Sequence, residues 1–386
     1  MFGSIFIGLS GMNAFSNGLR QISNNITNIN STGFKSSGVV FTDLFGQNSS
    51  RDAWSGQGVA LGNPRTDFAQ GELRQTDRDL DLAIDGNGFL VLLKGAQRIF
   101  LRTGSFEVSK TGEIVLAGTE FKLTVLDASG NPTPVSVDPY RTNPPQATTT
   151  IRFAQNLNTS GGTQTVSNID VYNALGEKDT WQVTFTRDAS APPGEWTVTV
   201  TNHAGANVGV PQTLHFIGNG QIEPGSDSQF TLDDDAGRSV NLDFATVQAL
   251  SGSSSIQVAS VDGHGTGELT SIAVDDEGQL LLSYSNEQKK QLGAVAIATF
   301  RDPQALDQRS GGVFVEHGSR SDAEYAGSGQ STAGRVVGKR LEASNVDLAR
   351  EFGELILVQR GFQASSQVVS VSNDMIQQLF GIRGQG

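Results

Sequence analysis

Both ends of the chain carry long, proline-free stretches in which apolar residues recur every seven positions. All 11 prolines lie between Pro64 and Pro303, so neither end contains the residue that breaks helices. Near the N-terminus two such series run side by side, three residues apart, with Gly8 as a weak member; they are Ile5, Met12, Leu19 and Ile26, and Phe15, Ile22 and Ile29. These are the a and d positions of a coiled-coil seam.

A third series spans six heptads at the C-terminal end, and Phe352 widens its stripe; its members are Leu341, Leu348, Leu355, Phe362, Val369 and Ile376. A helix over residues 341–380 would be roughly 60 Å long and one over residues 3–29 roughly 40 Å. Both could be ordinary surface helices packed on a core. Their strict heptads, their length and their location at both ends favour a shared helical bundle, so the listed residues are the predicted assembly interface.

Between the ends the apolar pattern changes to a period of two, which is typical of β-strands. Leu80, Leu82 and Ile84 alternate with aspartates, and the residues at 86–88 predict a turn that leads into a second strand at 89–93. Further hairpins are predicted over residues 106–116 and 272–282. These signals predict an inner β domain made of residues 80–147 and 265–340, joined to the N-terminal helix by an arm over residues 36–79.

A second β module is predicted within the first, between a proline-rich linker at residues 131–145 and a glycine cluster at residues 263–267. Residues 148–264 are rich in Thr, Val, Gly and Asn and carry 12 acidic and 4 basic residues, which gives −8 of the net charge of −13. The predicted fold class is therefore mixed: long α-helical termini (residues 1–35 and 341–386) form a coiled-coil-like assembly domain, and two all-β domains are inserted between them.

Composition limits the function. The net charge of −13 argues against nucleic acid as a partner, because phosphate binding needs basic patches. The chain has no cysteine, which excludes disulfides, a thiol nucleophile and thiolate zinc sites. The first ten residues lack the basic start of a Sec signal peptide, and no apolar run is long enough to span a membrane. An extracellular protein of this kind would need an export route without a cleaved signal.

Isolated polar groups give no catalytic constellation. Asp77, Asp79 and Asp81 resemble the start of a calcium loop, but Leu82 stands where the loop needs glycine, so we interpret them as the solvated face of a strand. Residues 233–235 are interpreted as a polar turn. The histidines show no ligand spacing; they are His203, His215, His264 and His317. We therefore predict no catalytic residue, no cofactor and no metal.

Three stretches resemble the flagellar rod and hook family of axial proteins. The first centres on residues 23–35 and contains the family-type residues Asn24, Asn25, Asn28, Gly33, Phe34 and Lys35. The second runs from Leu80 to Arg102 and continues into residues 103–106. The third starts at Leu341 and contains Asn345, Val346, Asp347, Gln359 and Arg360. With residues 269–300 the resemblance covers roughly half of the chain.

The residues of these stretches also have a local physical interpretation. The asparagines favour the end of the N-terminal helix, because they cap helices better than they extend them. Gly33 can adopt a positive φ and turn the chain. Phe34 is predicted to anchor the arm. The C-terminal helix is predicted to begin at Leu341, with Ser344 or Asn345 as its cap.

Within the family the insert at residues 148–264 favours a hook subunit over a shorter rod subunit. The resemblance implies a curved, flexible tube that transmits torque from rod to filament, export by the flagellar type III route, and a location in the extracellular hook. It implies as partners the same subunit, the distal rod, the hook cap and the hook–filament junction proteins. A distal rod subunit and, from another class, a secreted adhesin or glycan hydrolase remain alternatives; a hydrolase would need two convergent carboxylates.

Overall fold

The computed structural model describes residues 2–45, 56–159, 162–187, 194–225, 227–234, 237–316 and 322–383. The chain forms two compact units. Unit 1 consists of Met1–Asp138, Ile272–Leu282 and Lys290–Gly386, and unit 2 of Pro139–Ser271 and Ser283–Lys289. Each unit is built from chain segments that are distant in sequence.

Unit 1 contains the two long helices, α1 (Phe2–Thr27) and α2 (Leu348–Arg383). The predicted start of α2 at Leu341 is wrong by one heptad, because Leu341 lies in a strand and pairs with Arg74. The predicted caps are also wrong. Asp347 caps α2, since its Oδ1 accepts the backbone N–H groups of Ala349 at 2.8 Å and Arg350 at 3.3 Å.

The described strands of the first segment of unit 1 begin directly after α1. They are β1 (Ser37–Gly38), β2 (Phe41–Phe45), β3 (Gly56–Leu61), β4 (Arg65–Thr66), β5 (Leu73–Gln75), β6 (Asp81–Asp85), β7 (Phe89–Lys94), β8 (Gln97–Leu101), β9 (Thr103–Val108), β10 (Ile114–Leu116), β11 (Lys122–Leu126) and β12 (Pro132–Pro134). β12 pairs with β11, so the predicted proline-rich linker contributes a strand of unit 1.

Unit 2 is a sandwich of two antiparallel-rich sheets. Its described strands are β13 (Thr142–Asn143), β14 (Thr150–Asn158), β15 (Gly162–Tyr172), β16 (Lys178–Arg187), β17 (Glu195–Thr201), β18 (Gln212–His215), β19 (Gln229–Asp233), β20 (Ser239–Leu250) and β21 (Gln257–Val261). One sheet has the order β19-β20-β14-β21 and the other β15-β16-β17-β18. Both contribute to one apolar core, where Phe153 of the first sheet meets Phe185 of the second at 6.0 Å between ring centroids.

The chain passes between the units in three strands, β22 (Gly267–Val274), β23 (Gln279–Tyr284) and β24 (Lys289–Ala294). The remaining strands belong to unit 1: β25 (Ile297–Phe300), β26 (Leu306–Arg309), β27 (Val313–Glu316), β28 (Ala323–Ala326), β29 (Arg335–Gly338) and β30 (Arg340–Glu342). Among the described residues, the main sheet of unit 1 has the path β26-β27-β8-β7-β11-β10-β9-β6-β29. An aromatic cluster around Phe89, Phe100 and Phe314 lies in its core.

Two details of the predicted inner β domain are wrong. Asp81 is not on a solvated face: it is 2% exposed and lies 3.7 Å from the Arg78 guanidinium. The turn at residues 86–88 joins β6 and β7, but these strands are not hairpin partners, because β6 pairs with β9 and β29. The predicted hairpin over residues 106–116 is confirmed by the pairing of Val108 with Ile114.

Candidate assembly site

α1 and α2 pack against each other where small residues allow their backbones to approach closely. A Cβ atom at Gly11 would lie 2.6 Å from Ser365 Oγ, and one at Gly361 would lie 2.5 Å from the Phe15 ring. Such distances are well inside van der Waals contact, so larger residues would push the helices apart. Other side chains buried on the two helices are Ala14, Ile22, Val358 and Ser372.

The predicted interface residues fall into four groups. Ile22 is buried. Leu348, Phe352 and Phe362 are exposed. Leu341 is in β30. The others are half-buried: Ile5, Met12, Phe15, Leu19, Ile26, Ile29, Leu355, Val369 and Ile376. The heptad row of α2 that is most buried within the chain is instead Glu351, Val358, Ser365 and Ser372, because the close contact with α1 requires small side chains.

A second apolar row on α2 has exposed side chains. It consists of Leu357, Val368, Val371 and Met375, called here the outer stripe, which are 68%, 45%, 45% and 52% exposed. Together with Gly361 and Ala364 these positions alternate by four and three residues, so they lie on one side of the helix. The small residues at 361 and 364 hide this row from a search for large apolar side chains. Phe6, Ile7 and Leu9 of α1 are also exposed.

The hairpin of β2 and β3 lies against α1. The backbone N–H of Val59 donates to Ser10 Oγ at 3.2 Å, and the Phe15 and Phe41 rings are 5.1 Å apart. Gly58 has φ 104°, and a Cβ there would lie 2.1 Å from Ser10 Oγ. The hairpin therefore restricts the position of α1 relative to the arm.

Asn25 connects α1 to α2 and to β1. Its Nδ2 lies 3.1 Å from each carboxylate oxygen of Glu351 and 3.0 Å from the carbonyl oxygen of Ser37. Its Oδ1 accepts the backbone N–H of Ser37 at 3.1 Å. Both Asn25 and Glu351 are 2% exposed. Burial raises the pKa of Glu351 above its ordinary value, and the Asn25 hydrogen bond opposes this only in part.

A buried group of charges, the junction cluster, lies where the chain leaves α1 and where it approaches α2. Glu342 accepts from Lys35 Nζ at 2.6 Å and from Arg102 Nε at 3.1 Å, and all three side chains are at most 5% exposed. Burial lowers the pKa of Lys35 below its ordinary value, and the Glu342 carboxylate opposes that shift. The cluster holds two cations and one carboxylate.

Residues 67–71, called here the strap, are held by hydrogen bonds to the junction cluster. Lys35 Nζ donates to Ala69 O at 2.7 Å, and Glu342 Oε1 accepts the Gly71 N–H at 2.8 Å. Asn345 Nδ2 donates to Asp67 O at 2.7 Å and to Ala69 O at 3.0 Å. Backbone atoms of the strap thus hold polar side chains from both terminal segments in one arrangement.

Several of the family-type residues lie at this junction or at the ends of the two helices. Gly33 has φ 69°, as predicted for a turn, and its N–H donates to Glu342 O at 2.8 Å. Asn345 Oδ1 accepts the Ser36 N–H at 2.8 Å. Asn28 Nδ2 donates to Asn24 O at 2.9 Å at the end of α1. Phe34 and Val346 are half-buried, and Gln359 and Arg360 are exposed.

Sequence reasoning missed Arg102, Glu342 and Glu351, which complete the polar contacts. Each stands beside apolar residues, as in Ile99–Phe100–Leu101–Arg102 and Leu341–Glu342–Ala343. A charged residue in such a setting was the available signal, because buried charges are usually paired. The sequence does not show which charges pair, since Lys35 and Glu342 are 307 positions apart.

One of the histidines considered for chemistry belongs to a hydrogen-bonded group. In unit 2, His203 Nδ1 lies 2.6 Å from Asp179 Oδ1, and Asp179 Oδ2 accepts from Trp181 Nε1 at 3.1 Å and from Arg238 at 3.0 Å. His317 and Asp235 lie outside the described residues. Within the described ranges, no three His, Asp or Glu side chains are grouped to hold a metal ion, and neither helix is both long and apolar enough to cross a membrane.

Comparison with known proteins gives consistent matches. The family model described as "Flagellar basal body rod FlgEFG protein C-terminal" matches residues 337–382, and "Flagellar basal body protein FlaE D2 domain" matches residues 142–264. The flagellar hook protein FlgE of Salmonella typhimurium is 28% identical over 97% of this chain and 98% of its own length. That of Brucella suis is 27% identical over 99% of both chains. The solved Helicobacter pylori flagellar hook protein FlgE2 aligns with 10% identity and a TM-score of 0.49, covering 70% of this chain and 99% of that chain.

The terminal helices pair with each other and are joined through a buried polar junction to the β region between them. The two family models match the chain's C-terminal segment and its inserted β segment, and the curated relatives match it over nearly their full length. Over nearly its full length it is similar to the flagellar hook proteins FlgE.

Proposed function

We propose that the chain is a structural subunit of the flagellar hook and polymerises through its terminal helices. The outer stripe carries this proposal. Leu357 is 68% exposed and Met375 52% exposed although both lie on a helix that already packs against α1. A contiguous exposed apolar row of this kind is typical of a protein interface.

Covering the stripe would stabilise a polymer. Fully burying a Leu, Val or Met side chain contributes roughly 1.5–3 kcal/mol, and these side chains begin about half-exposed. One copy supplies the stripe and a neighbour supplies a different surface. Such a head-to-tail contact need not close into a ring and instead generates a helical tube.

The proposed organisation follows the sequence interpretation. Residues 1–35 and 341–386 form the assembly domain, residues 36–79 the arm, residues 80–147 and 265–340 the inner β domain, and residues 148–264 the outer β domain. The tube would be curved and flexible and would transmit torque. Its partners would be further copies of this chain, the distal rod, the hook cap and the hook–filament junction proteins. The subunit would be exported without a cleaved signal and would have no catalytic role.

The test compares two variants that each introduce one carboxylate, on opposite sides of α2. Leu357→Asp should abolish polymerisation, measured by sedimentation and electron microscopy, and leave the helical content of the monomer unchanged, measured by circular dichroism. Ser366→Asp is the matched control, because Ser366 is exposed and lies half a turn round the helix from Leu357. Normal tubes from Leu357→Asp would contradict the proposed interface. A wild-type chain that stays monomeric under all conditions would favour the adhesin alternative.

A further inference from the structure

Sulfur atoms are the protein atoms that peroxides oxidise most readily, at cysteine and methionine side chains. This chain has no cysteine and three methionines, Met1, Met12 and Met375. Met12 is half-buried, whereas Met375 is 52% exposed. Of the two methionines that the structure describes, Met375 is therefore the more open to an oxidant.

Met375 belongs to the outer stripe. Val368 precedes it by one heptad and Val371 by about one helical turn, so the three exposed side chains lie along one side of α2. A surface that covers Val371 therefore also covers Met375. The methionine side chain is unbranched and flexible, which lets it fit an irregular apolar surface. It suits an interface as long as its sulfur remains a thioether.

Oxidation changes this contact from apolar to polar. The Met375 sulfur attacks one oxygen of hydrogen peroxide, the O–O bond breaks, and the attacked oxygen passes its proton to the leaving hydroxide, which departs as water. The product is a sulfoxide, whose oxygen accepts hydrogen bonds. Burying an acceptor without a donor costs free energy. The apolar side chains next to it in the row, Val368 and Val371, have no donor to offer.

We propose that Met375 is an oxidation-sensitive site of the outer stripe, whose thioether permits assembly and whose sulfoxide opposes it. This inference rests on the proposed function, because the stripe must be covered by the next copy. The reaction is open before assembly and is blocked once a neighbour covers the sulfur. Enzymes that reduce methionine sulfoxide restore the thioether, so the effect is reversible.

The test treats the full-length free subunit with hydrogen peroxide, removes the peroxide and follows tube growth by sedimentation and electron microscopy. Peptide mass spectrometry measures the sulfoxide at each methionine. Each growth rate is divided by that of the same variant without peroxide. We expect oxidation to slow the wild type several-fold and methionine sulfoxide reductases to restore its rate. Met375→Leu should lose this sensitivity to peroxide, and Met12→Leu, the matched control, should keep it.

A second measurement needs no substitution. Peroxide applied to preformed wild-type tubes should oxidise Met375 several-fold more slowly than peroxide applied to free subunits. Equal rates in tubes and free subunits would overturn the inference. So would an oxidised wild type that grows at the normal rate, or a Met375→Leu variant that peroxide slows as much as the wild type.

Failure of the hook proposal would be visible earlier, as a wild-type chain that forms no tubes before any peroxide is added. The oxidation site would then fall with it. Normal tubes that grow equally well with and without the Met375 sulfoxide would instead overturn the oxidation site alone.

Discussion

Replacing Glu342 should destabilise unit 1 more than replacing either cation that it contacts. Glu342 is fully buried and accepts from Lys35, from Arg102 and from the Gly71 N–H. Glu342→Gln removes the carboxylate that pairs with both buried cations. Breaking a buried pair in this way typically costs about 3–5 kcal/mol.

Lys35→Met should cost less, about 1–3 kcal/mol. It leaves Arg102 and Glu342 as a balanced pair. The carbonyl oxygen of Ala69, which loses the Lys35 ammonium, keeps its hydrogen bond from Asn345 Nδ2 at 3.0 Å. Which of the two variants is less stable therefore tests charge balance, since simple loss of hydrogen bonds would not make one cost more than the other.

The assay can separate the two units. In a Trp54→Phe background the remaining tryptophans, Trp181 and Trp196, are both buried in the core of unit 2. Their fluorescence transition in urea should not shift in either variant. The free energy of unfolding of unit 1 is followed by hydrogen exchange of the β7 amides.

Glu72→Gln is the matched control for loss of a carboxylate. The Glu72 and Arg74 side chains are 72% and 65% exposed, so this change should cost no more than about 0.5 kcal/mol. A cost for Lys35→Met that equals or exceeds that of Glu342→Gln would refute the charge-balance reasoning. So would a Glu342→Gln variant as stable as Glu72→Gln.

Two further predictions concern helix packing and the insert. Gly361→Ala should lower the hydrogen-exchange protection of α1, because the new Cβ would lie 2.5 Å from the Phe15 ring. Gly353→Ala is the control: its Cβ would have open space around it and should stabilise α2 by up to about 1 kcal/mol. Equal protection of α1 in the two variants would contradict the close contact. Replacing residues 148–264 by a short Gly/Ser linker should leave unit 1 folded and able to polymerise into tubes of altered curvature. The cut ends lie close together, because Gln146 and His264 form a β-bridge. A truncated chain that does not fold, as judged by calorimetry, would show that unit 1 needs the removed segment.

The sequence was sufficient to predict both terminal helices and some strands of the β region, such as β9 and β10. Heptads without proline are a local signal, and so is alternation of apolar and polar residues. The start of α2 was not locally determined. Leu341 continues the heptad series, but Arg340–Glu342 pairs with Leu73–Gln75, and a pairing across the whole β region overrides a weak local preference.

The face of α2 that packs against α1 within the chain differs from the heptad series of large side chains, for a related reason. A search for large apolar side chains selects Leu348, Leu355 and Phe362, whereas close helix contact favours small residues such as Gly361 and Ser365. The distinction depends on the distance between the helices, which no single helix specifies. The large side chains consequently remain available for contacts outside the subunit.

The junction cluster shows why polar residues can be preferred where apolar ones would be as stable. Well-packed apolar residues often replace a buried ion pair at no loss of stability, but they would not specify one position of the strap. Lys35 and Glu342 do so, because Ala69 O and the Gly71 N–H each require a partner in a defined direction. Residues 28–36 and 341–347 are the segments that join the helices to the rest of unit 1. In a tube built from many copies, a small error of orientation at these segments would recur in every subunit, so directional hydrogen bonds there serve assembly more than they serve the stability of one chain.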